Sequence, residues 1–310
     1  MTLDPRKEQI VAELERLVSE ERNPRTVGID RKPTLAVLED INHEDAGIPA
    51  AVRQVLPAVA AAVERIVAAF RGGGRLVYIG AGTSGRLGVL DAAECPPTFG
   101  VPETMVLGLI AGGPAAMTQA VEGAEDDEEQ GALDLRAVGL SAADVVVGIA
   151  VSGRTPYVVG ALRYAGSVGA ATVALSCNPD ALIGRHAHIS IAPVVGPEVI
   201  AGSTRLKSGT AQKLVLNMLS TASMIGMGKV YENLMVEVNV TNAKLAARAV
   251  RIIADNSAVS EDEARELLRG AGNEVKLALL MAKTGSRIEV ARAALDAADG
   301  MLGRAIAALR

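Results

Sequence analysis

Apolar positions along the chain change their spacing several times, and each change marks an element. Over residues 5–22, Ile10, Leu14 and Leu17 recur at helical intervals, which predicts an amphipathic helix. That helix should stop at Asn23-Pro24, because the residue before proline avoids the right-handed helical region. A loop is expected next. From Pro49 to Phe70 the helical spacing returns through Val52, Val55, Val59, Val63 and Ile66. Pro49 suits a first helical position, Pro57 predicts a kink, and Gly72-Gly73-Gly74 ends the helix.

Five short β-rich runs follow: Leu76–Ile79, Met105–Ile110, Asp144–Ala150, Ala171–Ser176 and Ile189–Pro193, with helix-like segments between the first four. Strands alternating with helices predict parallel pairing through right-handed crossovers. The runs are continuously apolar, as strands covered on both faces must be. The predicted fold is therefore α/β, a doubly wound five-stranded parallel sheet. A long helix is expected from Arg205 to about Met227, after Gly202-Ser203-Thr204. Beyond residue 245 no strand pattern returns. Breaks at Asp255-Asn256-Ser257, Gly270-Ala271-Gly272-Asn273 and Thr284-Gly285 predict a bundle of three or four helices. The boundary is placed near residue 245, giving a body over 1–245 and a small helical lobe over 246–310.

Composition narrows the function. The chain has 310 residues, 49% of them apolar and only 2% aromatic, so Ala, Val, Leu and Ile must fill its core. A net charge of −5 argues against a general nucleic-acid surface, which needs clustered Lys and Arg. Cys95, Cys177, His43, His186 and His188 stand in no metal-binding spacing. A reaction without cofactor or metal is the default. The charged start Met1-Thr-Leu-Asp-Pro-Arg-Lys-Glu-Gln lacks the apolar stretch of a signal peptide, and no run reaches the roughly 18 apolar residues of a membrane span. A cytoplasmic protein is expected. Its mean hydropathy of +0.28 suggests apolar surface buried between subunits, and hence a homodimer.

Candidate chemistry gathers at strand ends. Gly80-Ala81-Gly82-Thr83-Ser84-Gly85 fits a dinucleotide-binding turn, but that reading also needs an acidic residue at the end of the second strand. Here that strand ends in Ile110-Ala111-Gly112-Gly113. With Gly82, Thr83 and Ser84 at a helix start, a phosphomonoester fits better, held by hydroxyls, amides and the helix dipole. The alternative is a glycine-rich turn needed only for packing. A second Ser-Gly-Arg, in Ser152-Gly153-Arg154-Thr155, also follows a strand, where ligands of open α/β sheets bind.

Carboxylates supply the remaining candidates. Glu94 precedes Cys95-Pro96-Pro97, and the prolines should end the helix there. Glu122, Glu125, Asp126, Asp127, Glu128 and Glu129 form an acidic run, ordinarily a solvated face. If it is helical, Glu122, Glu125, Asp126 and Glu129 share a side, and spacing selects none of them. Glu198 precedes Ser203, Arg205 and Lys207. Cations in a first helical turn oppose the dipole, so Lys207 or Arg205 should meet an anionic ligand, Glu198, or a simple surface partner.

These residues resemble the sugar isomerase (SIS) fold and, within it, the N-acetylmuramic acid 6-phosphate etherase family. The resemblance is carried by Arg22-Asn23-Pro24, Ile41 to Asp45, Gly80 to Pro97, Val121 to Asp127, Ser152 to Tyr157 and Gly202 to Lys213. It implies cofactor-free cleavage of a lactyl ether at C3 of the amino sugar phosphate. It also implies Glu94 as proton donor, Glu125 as the second catalytic carboxylate, and a ubiquitin-associated-like helical tail. Thr83, Ser84, Ser152 and Thr155 would hold the phosphate, with Lys207 on the phosphate or the lactyl carboxylate. Ten residues separate Ser84 from Glu94, about 15 Å along a helix, longer than a hexose phosphate. Either the helix breaks early, at Gly88, or Glu94 serves a site shared across a dimer. An aldose–ketose isomerase, a sugar-phosphate sensor like the glucokinase regulatory protein, and a nicotinamide enzyme are the rival readings.

Overall fold

The computed structural model describes residues 17–237 and 243–310. The predicted helix over 5–22 lies outside the described residues except at its end, where Val18–Glu20 form a 3-10 turn. The loop expected after Pro24 contains a helix, α1 (Thr34–Asp45). Leu35 and Leu38 on it are exposed, so no buried stripe announced it. The single kinked helix over 49–70 is two helices, α2 (Ile48–Gln54) and α3 (Leu56–Arg71). Residues 34–54 and 56–71 meet at 60°. Val55 leaves helical geometry, and Pro57 sits in the first turn of α3, where a missing N–H costs nothing.

All five predicted strands are present: β1 (Leu76–Gly80), β2 (Val106–Ile110), β3 (Val145–Ile149), β4 (Ala171–Leu175) and β5 (Ile189–Ile191). They pair in parallel in the order β2-β1-β3-β4-β5. Val77, Ile79, Val146 and Ala174 from the strands pack with Leu135, Tyr157 and Leu162 from the crossover helices. The chain moves outward from β1 to β2, then returns to place β3 on the other side of β1. That reversal opens a crevice at the carboxyl ends of β1 and β3, the usual ligand position in such sheets.

Helix α4 (Gly82–Phe99) leaves β1 and runs without a break, so of the two alternatives the early break at Gly88 does not occur, and the helix continues past the stop expected at Pro96-Pro97. Gly88 serves packing: a Cβ there would lie 2.9 Å from the Cβ of Tyr78 on β1. The prolines sit in the final turns, and Gly100 (φ +63°) ends the helix, its N–H donating to the Pro96 carbonyl at 2.9 Å. The other helices of the sheet region are α5 (Glu128–Ala137), α6 (Pro156–Val168) and α7 (Lys207–Gly226).

By their contacts the residues form two units, one reaching Ala92 and resuming over Val106–Leu219, the other comprising Ala93–Met105 and Ser220–Arg310. Residue 245 lies inside the second unit. That unit holds a short hairpin, β6 (Val230–Tyr231) with β7 (Leu234–Met235), turning at Glu232 (φ +52°). Among the described residues from 243 onward there are five helices, not three or four: α8 (Ala243–Asp255), α9 (Glu261–Gly270), α10 (Val275–Thr284), α11 (Ile288–Ala297) and α12 (Leu302–Leu309). The three predicted breaks are present. The additional one is at Asp299-Gly300, both with positive φ. Ile253, Leu268, Leu277, Leu280 and Leu302 build this unit's own core. No single helix among the described residues is long and apolar enough to cross a membrane.

Candidate active site

The crevice is built from two strand-to-helix turns. In the first, β1 ends at Gly80 and α4 begins at Gly82. The amides of a first helical turn have no intrahelical acceptor, and the dipole adds partial positive charge there. Thr83 is partly exposed, whereas Ser84 is 6% exposed and its hydroxyl donates to Gln212 Oε1 on α7 at 2.9 Å.

A pocket of about 200 Å³ opens beside this turn, lined among others by Gly82, Arg86, Gln119, Glu122 and Glu125. The acidic run is thereby sorted. Glu122 and Glu125 border the pocket. Asp127 caps α5 by accepting the Gln130 N–H at 2.9 Å, and Glu128 pairs with Arg163 at 2.6 Å. The condition for a common helical face of Glu122, Glu125, Asp126 and Glu129 is not met, because α5 starts only at Glu128. Glu125 instead lies in a 3-10 turn, Ala124–Asp126, entered through Gly123 (φ +74°).

Arg86 escaped the sequence reading. Its Nε donates to the Met117 carbonyl at 3.1 Å and its Nη2 to the Gln119 carbonyl at 3.3 Å. The guanidinium thus ties α4 to the segment leading into Glu122 and Glu125. The repeated Ser-Gly-Arg was the available signal, but only the fold shows which of its arginines reaches a wall.

In the second turn, Ser152 Oγ accepts the Arg154 N–H at 3.3 Å, and Gly153 adopts φ +70°. Thr155 precedes α6 and makes no side-chain capping bond. The turn is held from outside: Ile183 N–H donates to the Gly153 carbonyl at 2.9 Å, and the Asn178 amide donates to the Val151 carbonyl at 2.9 Å. Asn178 is itself held by Ser19, whose hydroxyl accepts its Nδ2 at 3.0 Å. Ser152, Gly153, Arg154 and Thr155 follow β3, the neighbour of β1, yet none lines the pocket of Glu125.

Glu198 and Lys207 each have protein partners. Glu198 is fully buried, and its carboxylate accepts the N–H groups of Lys207 and Ser208, each at 2.9 Å, capping α7. Lys207, also buried, donates from Nζ to Glu44 Oε2 at 2.7 Å. Arg25 grips the same carboxylate, with Nη2 at 2.8 Å. The Arg25 guanidinium holds the Glu44 carboxyl down at about 2; burial opposes the shift and Lys207 assists it. Of the partners open to Lys207, its ammonium meets neither Glu198 nor a surface group but Glu44, an internal ion pair of the kind a buried ammonium requires. Ser203 is partly buried just ahead of α7, its carbonyl accepting the Leu206 N–H.

Glu94 is exposed on α4, in the stretch grouped with the second unit. Both cysteines are buried and neither is in a disulfide, and burial pushes the Cys177 thiol up to about 12, so that thiol is not ionised near neutral pH. Among the described residues no three His, Cys, Asp or Glu side chains converge as a metal site would require.

Known proteins are similar to this chain in sequence. The N-terminal SIS domain of the glucokinase regulatory protein matches residues 58–166, the SIS domain matches 123–222, and the C-terminal lid domain of that regulatory protein matches 232–295. The N-acetylmuramic acid 6-phosphate etherase of Rhizobium rhizogenes is 61% identical over 302 residues, covering 97% of this chain and 98% of that protein. Its counterpart from Brucella anthropi is 63% identical over 300 residues, with the same coverage. N-acetylmuramic acid 6-phosphate etherase 2 of Vibrio cholerae is 59% identical over 297 residues, covering 96% and 97%. With identity at this level along nearly the whole length, the chain belongs to the N-acetylmuramic acid 6-phosphate etherase family.

Proposed function

We propose that the protein cleaves the D-lactyl ether of N-acetylmuramic acid 6-phosphate, giving N-acetylglucosamine 6-phosphate and D-lactate during the recycling of cell-wall sugars in the cytoplasm. The observation that carries this reading, beside family membership, is the pocket joining Glu125 to the amino end of α4. A phosphate on the amides of Gly82, Thr83 and Ser84 fits that helix end, with Ser152 and Thr155 on the neighbouring turn as further hydroxyls.

In the ring-opened sugar the C1 aldehyde acidifies the C2 proton, and the ether oxygen leaves from the adjacent C3. Glu125 takes the C2 proton. The C3–O bond breaks with its electron pair on the lactate oxygen, and Glu94 supplies the proton that oxygen needs. Water then adds to the unsaturated aldehyde, its oxygen at C3 and a proton at C2, restoring the saturated sugar. Two carboxylates and a water balance the whole sequence without a cofactor.

Helix α4 is unbroken from Gly82 to Phe99, so Ser84 and Glu94 stand about 15 Å apart along it. This supports a homodimer in which Glu94 of one copy serves the sugar held by the other. Mixing Glu94→Gln and Glu125→Gln subunits should then restore about a quarter of wild-type turnover, because half of the dimers are mixed and each mixed dimer has one intact site. No recovery from exchanged subunits would place both carboxylates in one copy.

The deciding experiment is release of D-lactate from N-acetylmuramate 6-phosphate. An aldose–ketose isomerase needs no acid for a C3 leaving group and would release none. The matches to glucokinase regulatory protein domains favour a second reading, a sugar-phosphate sensor. It predicts thermal stabilisation by the sugar phosphate without product.

A further inference from the structure

Helix α7 begins on the Glu198 cap, and its first turns carry Ser208 and Gln212, four residues apart and so on one face. Both are fully buried. Gln212 Oε1 accepts the Ser84 hydroxyl, whereas Gln212 Nε2 and Ser208 Oγ have no hydrogen-bond partner among the described residues. The same turn lies against the start of α4: a Cβ on Gly209 would sit 3.5 Å from the Thr83 methyl. A buried N–H without an acceptor costs free energy, and its place beside a proposed ligand turn calls for a reason.

In the observed arrangement Ser84 gives its one proton to Gln212 and has none for an anion. A half-turn of the carboxamide exchanges Oε1 with Nε2 at nearly the same volume. Nε2 would then donate to Ser84 Oγ, and the Ser84 proton would be released to point outward. We propose that Gln212 is a positioning residue for the sugar's phosphate: by turning its amide it donates to Ser84 and presents the Ser84 hydroxyl to a phosphate oxygen. The inference deepens the reading that the first turn of α4 receives the phosphate, and rests on it.

The test titrates N-acetylglucosamine 6-phosphate into the full-length protein, with thermal melting to confirm folding. Ser84→Ala and Gln212→Met should each weaken binding about three- to tenfold. The double variant should be no weaker than the poorer single, since both changes remove one relay. Additive losses, or wild-type affinity in Gln212→Met while Ser84→Ala binds poorly, overturn the role of Gln212 alone. Wild-type affinity in Ser84→Ala overturns the phosphate placement and this inference together.

Gln212→Glu gives a second readout at unchanged volume. Ionised, it can only accept, and so keeps the Ser84 proton; burial raises its pKa, and the protonated form can donate again. Its affinity relative to wild type at the same pH should therefore recover as the pH falls from about 8 to about 5. A simple tie between α7 and the turn would leave that ratio flat, which overturns the relay.

Discussion

The same tripeptide, Ser-Gly-Arg, stands at both strand-to-helix turns of the crevice, and its three residues do different work at each. At Ser84-Gly85-Arg86 it lies inside the first turns of α4. There Ser84 faces Gln212, Gly85 packs so closely that a Cβ would lie 2.6 Å from the Gly80 carbonyl oxygen, and Arg86 reaches the carbonyls of 117 and 119. At Ser152-Gly153-Arg154 it lies before α6 begins. Ser152 closes the turn on the Arg154 N–H, and Gly153 takes a left-handed φ against Ala181. Register against the helix start, not the letters, decides whether such a motif builds a pocket wall or a turn.

Breaking the comparison begins with the pocket that only the first turn borders. Glu125→Gln should lower kcat about a thousandfold with sugar-phosphate binding retained; near-normal turnover would show that the wrong carboxylate was chosen. Gly153→Ala should cost about 3 kcal/mol in chemical denaturation, because it adds left-handed strain to a Cβ only 2.2 Å from that of Ala181. Gly85→Ala, at a helical φ, should cost about 2 kcal/mol, and the reverse order would refute the register argument.

Acid separates the turns from the Arg25–Glu44–Lys207 cluster, in which Glu44 and Lys207 are buried and Arg25 is exposed. The Glu44 carboxyl titrates near 2 in the folded protein, below its ordinary 4.5. A depressed folded value stabilises the fold above the unfolded one and loses that contribution as pH falls. Stability should thus drop by on the order of 3 kcal/mol between about pH 5 and pH 2, and Glu44→Gln, already less stable, should show a shallower slope. Arg86→Met should reduce kcat/KM about tenfold, by releasing the wall that carries Glu125. The smallest effect is expected of Ser152→Ala, about 1 kcal/mol for one turn hydrogen bond; a larger loss in sugar-phosphate affinity than in stability would assign its hydroxyl to the ligand.

Much of the fold was legible because its signals are local. All five strands are short apolar runs, and each predicted break in the helical tail carries Gly or Asn. Helix α1 was missed because Leu35 and Leu38 face solvent and show no buried face. The reach of α4 past Pro96 was missed because two prolines carry the letters of a helix end while sitting in a final turn, and the sequence left a break at Gly88 open because that glycine's role is close packing.

The candidate site divides in the same way. The residue types fixed where phosphate chemistry could sit: a glycine turn with hydroxyls at the carboxyl end of the first strand, and carboxylates further on. Family likeness singled out Glu94 and Glu125. Only the tertiary structure could give Lys207 to Glu44, give Glu198 to the start of α7, seat Arg86 beside Glu125 and bring Gln212 to Ser84. Each of those pairings joins segments from 39 to 163 residues apart in sequence, save the nine-residue cap. Local propensity acts over a few residues, whereas the partner of a buried charge or amide is chosen by the packing that removes it from water.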